Sequence, residues 1–175
     1  MANAFGMGTL LNPVKRKIFI SYHHDNDQAY YNGFVQFFEN QYEVIQDNSL
    51  DRLIDSDDTG YILRRIRENH ITGTSCTIVL CGAETPWRKY VDWEIKATLD
   101  KQHGLIGIKQ NNCAVNQQGR FIVPDRLHDN IASGYAVWTN WESLTLDHLK
   151  NCIETANSKP INLIRNDRAM RSRNG

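Results

Sequence analysis

Trp87, Tyr90 and Glu94 are three and four residues apart in the segment Trp87-Arg88-Lys89-Tyr90-Val91-Asp92-Trp93-Glu94-Ile95, spacings that place side chains on one row of a helix. That row borders an i, i+4, i+8 stripe of Val91, Ile95 and Leu99, so a carboxylate sits beside aromatic rings at the edge of a buried face. Spacing alone leaves two accounts open. Glu94 is a functional carboxylate, or it is a surface glutamate paired with Arg88 or Lys101 or satisfied by backbone amides.

Other familiar chemistries lack their residues. His23 and His24 are adjacent and ill-placed to share one ion, while His70, His103, His128 and His148 fall on separate elements, so no metal site is expected. Gly104 and Gly107 lie inside a strand-like run, and nothing matches the phosphate-cradling G-x-x-x-x-G-K-[ST] or G-x-G-x-x-G patterns. A G-x-S-x-G nucleophile elbow is absent. A phosphoacceptor receiver would need carboxylates after the first strand, which Asp25 and Asp27 could supply, and an aspartate ending the third, where Cys81-Gly82-Ala83-Glu84 stands instead. Cys76 and Cys81 differ by five residues and would face opposite sides of a strand, so the four cysteines read as buried reduced thiols.

Residues of this kind need a scaffold, and the chain alternates strand and helix signals. Lys17-Ile18-Phe19-Ile20-Ser21-Tyr22 reads as a first strand, and Tyr30, Phe34, Phe37 and Phe38 as the inner face of a helix over 27–41. Tyr42-Glu43-Val44-Ile45 is a short second strand. The acidic segment 47–59 is a long connection, and a helix over 61–70 is entered through Asp58 or Thr59. Residues 75–82 are so uniformly apolar that they predict a central strand buried on both faces. Thr85-Pro86 reads as the cap and first turn of the helix that carries Glu94. Gly104–Lys109 is a fourth strand, 111–134 a long polar stretch with a single turn near 125–129, 135–138 a fifth strand and 144–156 a last helix with Leu146, Leu149 and Ile153 inward. Five such alternations predict an α/β flavodoxin-like three-layer sandwich on a five-stranded parallel sheet, with ligands over the carboxyl ends of the strands.

A length of 175 residues suits one domain, and 41% hydrophobic and 23% charged residues are globular proportions. Lys plus Arg and Asp plus Glu both total 20, so no overall charge draws the chain onto nucleic acid or an anionic membrane. No apolar run approaches the roughly 18 residues of a membrane span, and residues 1–11 lack a secretory pattern, which predicts a cytoplasmic protein. The expected organisation is an N-terminal arm at 1–14, a domain at 15–157 and a basic C-terminal extension at 158–175. That extension is expected to be solvated, or packed only up to about Ile164.

Several ordered motifs together resemble one family. K-I-F-I-S-Y at 17–22, T-x-x-T-x-V-L-x-G at 74–82, K-Y-V-D-W-E-I at 89–95 before G-x-I-G-I, and V-P-D-R-L-x-D-N at 123–130 look like the TIR-like domain of bacterial Thoeris antiphage proteins of the ThsB type. The resemblance spans about 15–157. It implies an enzyme that cleaves NAD+ at the nicotinamide–ribose bond, with Glu94 as the catalytic glutamate, and makes a signalling, often cyclic, ADP-ribose derivative. NAD+ is then the substrate and no cofactor is implied. Substrate contacts would come from Phe19, Ser21, Tyr22 and His23 at the first strand, Asp55 in the acidic loop, and Trp87 and Tyr90 before the glutamate. Tyr90 stands where many TIR enzymes carry tryptophan.

The same resemblance implies a bacterial cytoplasmic location, an effector protein reached through the nucleotide, a phage-derived trigger and self-association. Two alternatives remain: a catalytically silent self-assembling adaptor, and a flavodoxin-like nucleotide-binding module. Phe19 is open to a plain core reading, and the loop near Asp55 to a solvated connection. If cleavage needs only Glu94 and a bound ribose, the covering segments 47–60 and 111–134, with Asp55, Asp57 and Arg126, are expected to set product identity and assembly.

Overall fold

The structure, a computed structural model, describes residues 15–46 and 58–175. Its five strands are β1 (Arg16–Ser21), β2 (Tyr42–Gln46), β3 (Cys76–Cys81), β4 (Gly104–Lys109) and β5 (Val137–Asn140). They form one sheet in the order β2-β1-β3-β4-β5, and every pairing is parallel. The expected flavodoxin-like architecture is therefore present. The order reverses between β1 and β3, which makes the carboxyl ends of those two strands the place where open sheets of this class take ligands.

The helices are α1 (His24–Phe38), α2 (Thr59–Ile66), α3 (Lys89–Asp100), α4 (Asp125–Ala132) and α5 (Leu146–Asn157). Alternation along the strands sorts the core into two layers. Ile18, Ile20, Ile78 and Leu80 pack with Phe34 and Phe38 of α1 and Leu149 and Ile153 of α5. Phe19 packs with Ile62, Ile66 and Trp93, while Val79 and Cys81 pack with Val91, Ile95 and Leu99. All six residues of β3 are buried, at about 1.5–3 kcal/mol for each large apolar side chain. Cys76 and Cys81 fall in opposite layers, as their odd spacing predicts, and all four cysteines are free and buried. Burial pushes the Cys76 thiol up to about 12.

Several local expectations are corrected. The inner face of α1 is Asp27, Tyr31, Phe34 and Phe38, whereas Phe37 is 75% exposed. Leu146 is also exposed, because Thr145 caps α5 and leaves the first turn outside. Asp58 does cap α2, accepting from the amides of Gly60 and Tyr61, but the helix ends in a π-helical turn, Arg67–Ile71. The turn near 125–129 is a full helix, α4, whose Arg126 is wholly buried.

Thr85 does not cap α3. Thr85–Trp87 is a separate 3-10 turn, and Arg88 is extended before the helix starts. The Thr85 hydroxyl accepts from the Gly82 amide at 2.9 Å and lies 3.1 Å from Asp27 Oδ2, so it ties the loop after β3 to α1. The basic extension also differs from expectation, because it packs well beyond Ile164. Asn130 brackets Arg165 with two hydrogen bonds, and the Arg126 guanidinium donates to the carbonyls of Arg168 and Ala169. Residues 165–175 run back along α3 to Trp87.

Candidate active site

At the carboxyl end of β1 the chain alternates faces, and the two faces carry different polar groups. Ser21 points, like Phe19, toward α3. Its hydroxyl donates to Oε2 of Glu94 in a buried hydrogen bond between residues 73 positions apart. Glu94 is 4% exposed, so the surface-pair account fails, and Arg88 is instead paired with Glu84. The helix is held in rotation by the Thr98 hydroxyl, which donates to the Glu94 carbonyl at 2.8 Å and lies 2.6 Å from Thr77 on β3. This chain of contacts fixes where the carboxylate sits relative to the sheet edge.

Tyr90, one helical turn before Glu94, is half-buried and meets Trp93 edge to face, with ring centroids 5.4 Å apart. The Lys89 ammonium is 5.0 Å from the Tyr90 ring. Trp87 belongs to the 3-10 turn and not to the helical row that its spacing suggested. Phe19 is fully enclosed between α2 and α3 and contributes packing.

Tyr22 faces the other layer, stacked on Tyr31 at 4.7 Å with its hydroxyl on Gln28. His23 is buried at the start of α1, and its carbonyl accepts from the Asp27 amide. The structure thus groups Ser21, Tyr90 and Glu94 on one side of the edge and Tyr22 and His23 on the other. Asp55 and Asp57 lie outside the described residues.

Asp27 is a second buried carboxylate. Among the described residues, its Oδ1 and both side-chain polar atoms of Gln110 have no hydrogen-bond partner. Gly82 is required beneath them, since a Cβ there would lie 2.7 Å from both Asp27 Oδ2 and Gln110 Oε1. Burial raises the Asp27 pKa, while Thr85 and the His23 charge pull it back. The sequence signal for this group was a polar residue, Gln110, placed directly after an unbroken strand. Arg126 is not a covering-loop residue. It forms a buried ion pair with Asp92 at 2.9 Å, and Asp92 also accepts from the Arg171 amide. Among the described residues no cluster of His, Cys, Asp and Glu could hold a metal, and no helix is long and apolar enough to cross a membrane.

The family model for the TIR-like domain of the Thoeris protein ThsB matches residues 19–114, more than half of the chain. The chain belongs to this family. The match runs from within β1 to just past β4, so it takes in the buried carboxylates Asp27, Asp92 and Glu94, with Ser21, Trp87 and Tyr90, of this Thoeris TIR-like domain. It supports a role in antiphage defence. No curated protein matches the chain.

Proposed function

We propose that this TIR-like domain cleaves NAD+ at the nicotinamide–ribose bond, with Glu94 as the catalytic carboxylate. The observation that carries the reading is the Ser21–Glu94 contact: a buried carboxylate oriented by a hydroxyl at the strand end beside the switch point of the sheet. When the bond from the ribose anomeric carbon to nicotinamide breaks, the electron pair leaves with the ring nitrogen, and neutral nicotinamide departs. Positive charge passes to the ribose, so the leaving group needs no strong acid. The site must supply a fixed negative charge, which is most effective where water is scarce. Water, or a second nucleophile of the same nucleotide, then adds to the anomeric carbon and gives up its proton. The product is ADP-ribose or a cyclic derivative.

This reading carries with it a bacterial cytoplasmic setting, an effector protein that the nucleotide activates, a phage-derived trigger and self-association. NAD+ enters as substrate. The test is nicotinamide release by the purified protein and by Glu94→Gln, which keeps the side-chain size and the contact with Ser21 but removes the charge. The expected loss is on the order of a hundredfold or more. Wild-type turnover in a folded Glu94→Gln protein overturns the assignment. Release by neither protein, with or without phage components, favours the silent adaptor.

A further inference from the structure

Residues 165–175 are laid along the helix that carries Glu94, and their attachment changes character along their length. From Arg165 to Arg171 the hold is deep. The wholly buried Arg126 binds the Arg168 carbonyl at 2.9 Å, Asp92 accepts the Arg171 amide at 2.8 Å, and the Trp93 indole donates to the Arg171 carbonyl at 2.8 Å. Met170 packs into the apolar cluster that includes Tyr90 and Trp93. From residue 172 onward every residue is exposed. This tip is tied at two points, where Asn174 Oδ1 accepts from the Lys89 amide at 2.9 Å and the Gly175 amide donates to the Trp87 carbonyl at 3.1 Å. Gly175 lies against the Trp87 ring, since a Cβ built there would be 3.2 Å from it.

We propose that residues 172–175 are an autoinhibitory tip that covers Trp87 and ties down the first turn of α3, and that NAD+ must displace it to reach Glu94. The inference rests on the NAD+ reading of the same site. Three features separate residues 172–175 from an ordinary packed segment. The anchor is strong enough to keep the tip close after release. The tip itself is exposed, and two hydrogen bonds and the contact of Gly175 with the Trp87 ring are a light hold that opens readily. It also lands on the loop and first helical turn that precede the candidate catalytic residue, at the edge of the sheet where a nucleotide would enter. A tip docked nine-tenths of the time would weaken the apparent affinity for a competing ligand about tenfold. Because the anchor remains, removing the tip should leave the helix in place.

The experiment compares the full chain with a chain ending at Arg171 and with Asn174→Ala. The first readout is the steady-state release of nicotinamide from NAD+. The second is calorimetric NAD+ binding in the Glu94→Gln background, where the nucleotide stays intact. The third is amide exchange at Lys89 and Gly175. The expected result is that KM and Kd for NAD+ fall several-fold in both tip variants, about tenfold for the shortened chain, with kcat unchanged. Addition of NAD+ to the full-length Glu94→Gln chain should also speed exchange at Gly175.

Equal affinity with and without the tip, together with a protected Gly175 in the NAD+ complex, overturns the tip and leaves the NAD+ reading standing. A folded shortened chain that loses turnover also overturns it, because the tail then positions α3 and does not obstruct it. Absence of both binding and cleavage in every variant overturns the NAD+ reading and the tip with it.

Discussion

The Ser21 hydroxyl reaches across from the last residue of β1 to the carboxylate of Glu94 in the second turn of α3 and ties that side chain to the sheet edge. A buried carboxylate that loses a donor is less well oriented and less well compensated. Ser21→Ala is therefore expected to lower the rate of nicotinamide release by about tenfold or more, with a smaller change in KM, because the hydroxyl acts by positioning Glu94. The check is steady-state kinetics beside a melting curve. A folded Ser21→Ala protein with unchanged kcat would mean that the contact is purely structural.

Tyr90 presents an aromatic face beside the same helix row and supports Trp93 edge to face. Tyr90→Trp keeps a flat ring and the contact, so activity should persist. Tyr90→Ala removes both, and nicotinamide release should fall by about tenfold or more, in line with the loss of a positioned binding wall. Kinetics of the alanine variant equal to those of the unaltered protein would place Tyr90 outside the site.

How much of this was legible in the sequence depended on which physical signal each element carries. β3 was plain because all its residues are apolar, and the Val91, Ile95 and Leu99 stripe was plain because its period is helical. The start of α3 was misplaced because a threonine before proline looks like a cap, while here its hydroxyl is engaged by Gly82 and Asp27. Phe37 and Phe38 are adjacent aromatics, and the count of spacings does not say which of them faces the core. The docking of the tail had no hydrophobic period at all, since it is held chiefly by Arg126, Asp92 and Asn130 binding main-chain groups. The aromatic neighbours of Glu94 single it out in the sequence, but its hydrogen bond with Ser21 is fixed by topology.

Arg126 and Asp92 form a buried pair that also clamps three tail segments. Removing one member leaves the other charge buried without its partner, which typically costs about 3–5 kcal/mol. Arg126→Ala is expected to destabilise the domain by about that amount and to free residues 165–171, seen as lower midpoint denaturant and faster proteolysis after Leu163. This replaces the expectation that Arg126 tunes the reaction product. A stable Arg126→Ala protein with a protected tail would show that the pair contributes little to either.

Asp27 gives the clearest dependence on pH. Its carboxyl is held above the ordinary range mainly by burial, and one oxygen has no hydrogen-bond partner among the described residues. A folded pKa above the unfolded value means that the native state holds the proton more tightly. The stability this provides is complete below the unfolded carboxylate range, near 3.8, and is lost as pH rises through the folded value. At neutral pH the ionised Asp27 therefore costs stability that its protonated form would not. Asp27→Asn keeps the shape and an acceptor for Thr85, cannot ionise, and brings an amide that can donate to Gln110. It should melt a few degrees above the unaltered protein at pH 7. The gain should shrink toward zero as pH falls below 4, where the aspartate is protonated in both states. Melting curves at several pH values decide the matter: no gain at pH 7, or a gain of the same size in acid, would show that the charge on Asp27 is not what the burial opposes.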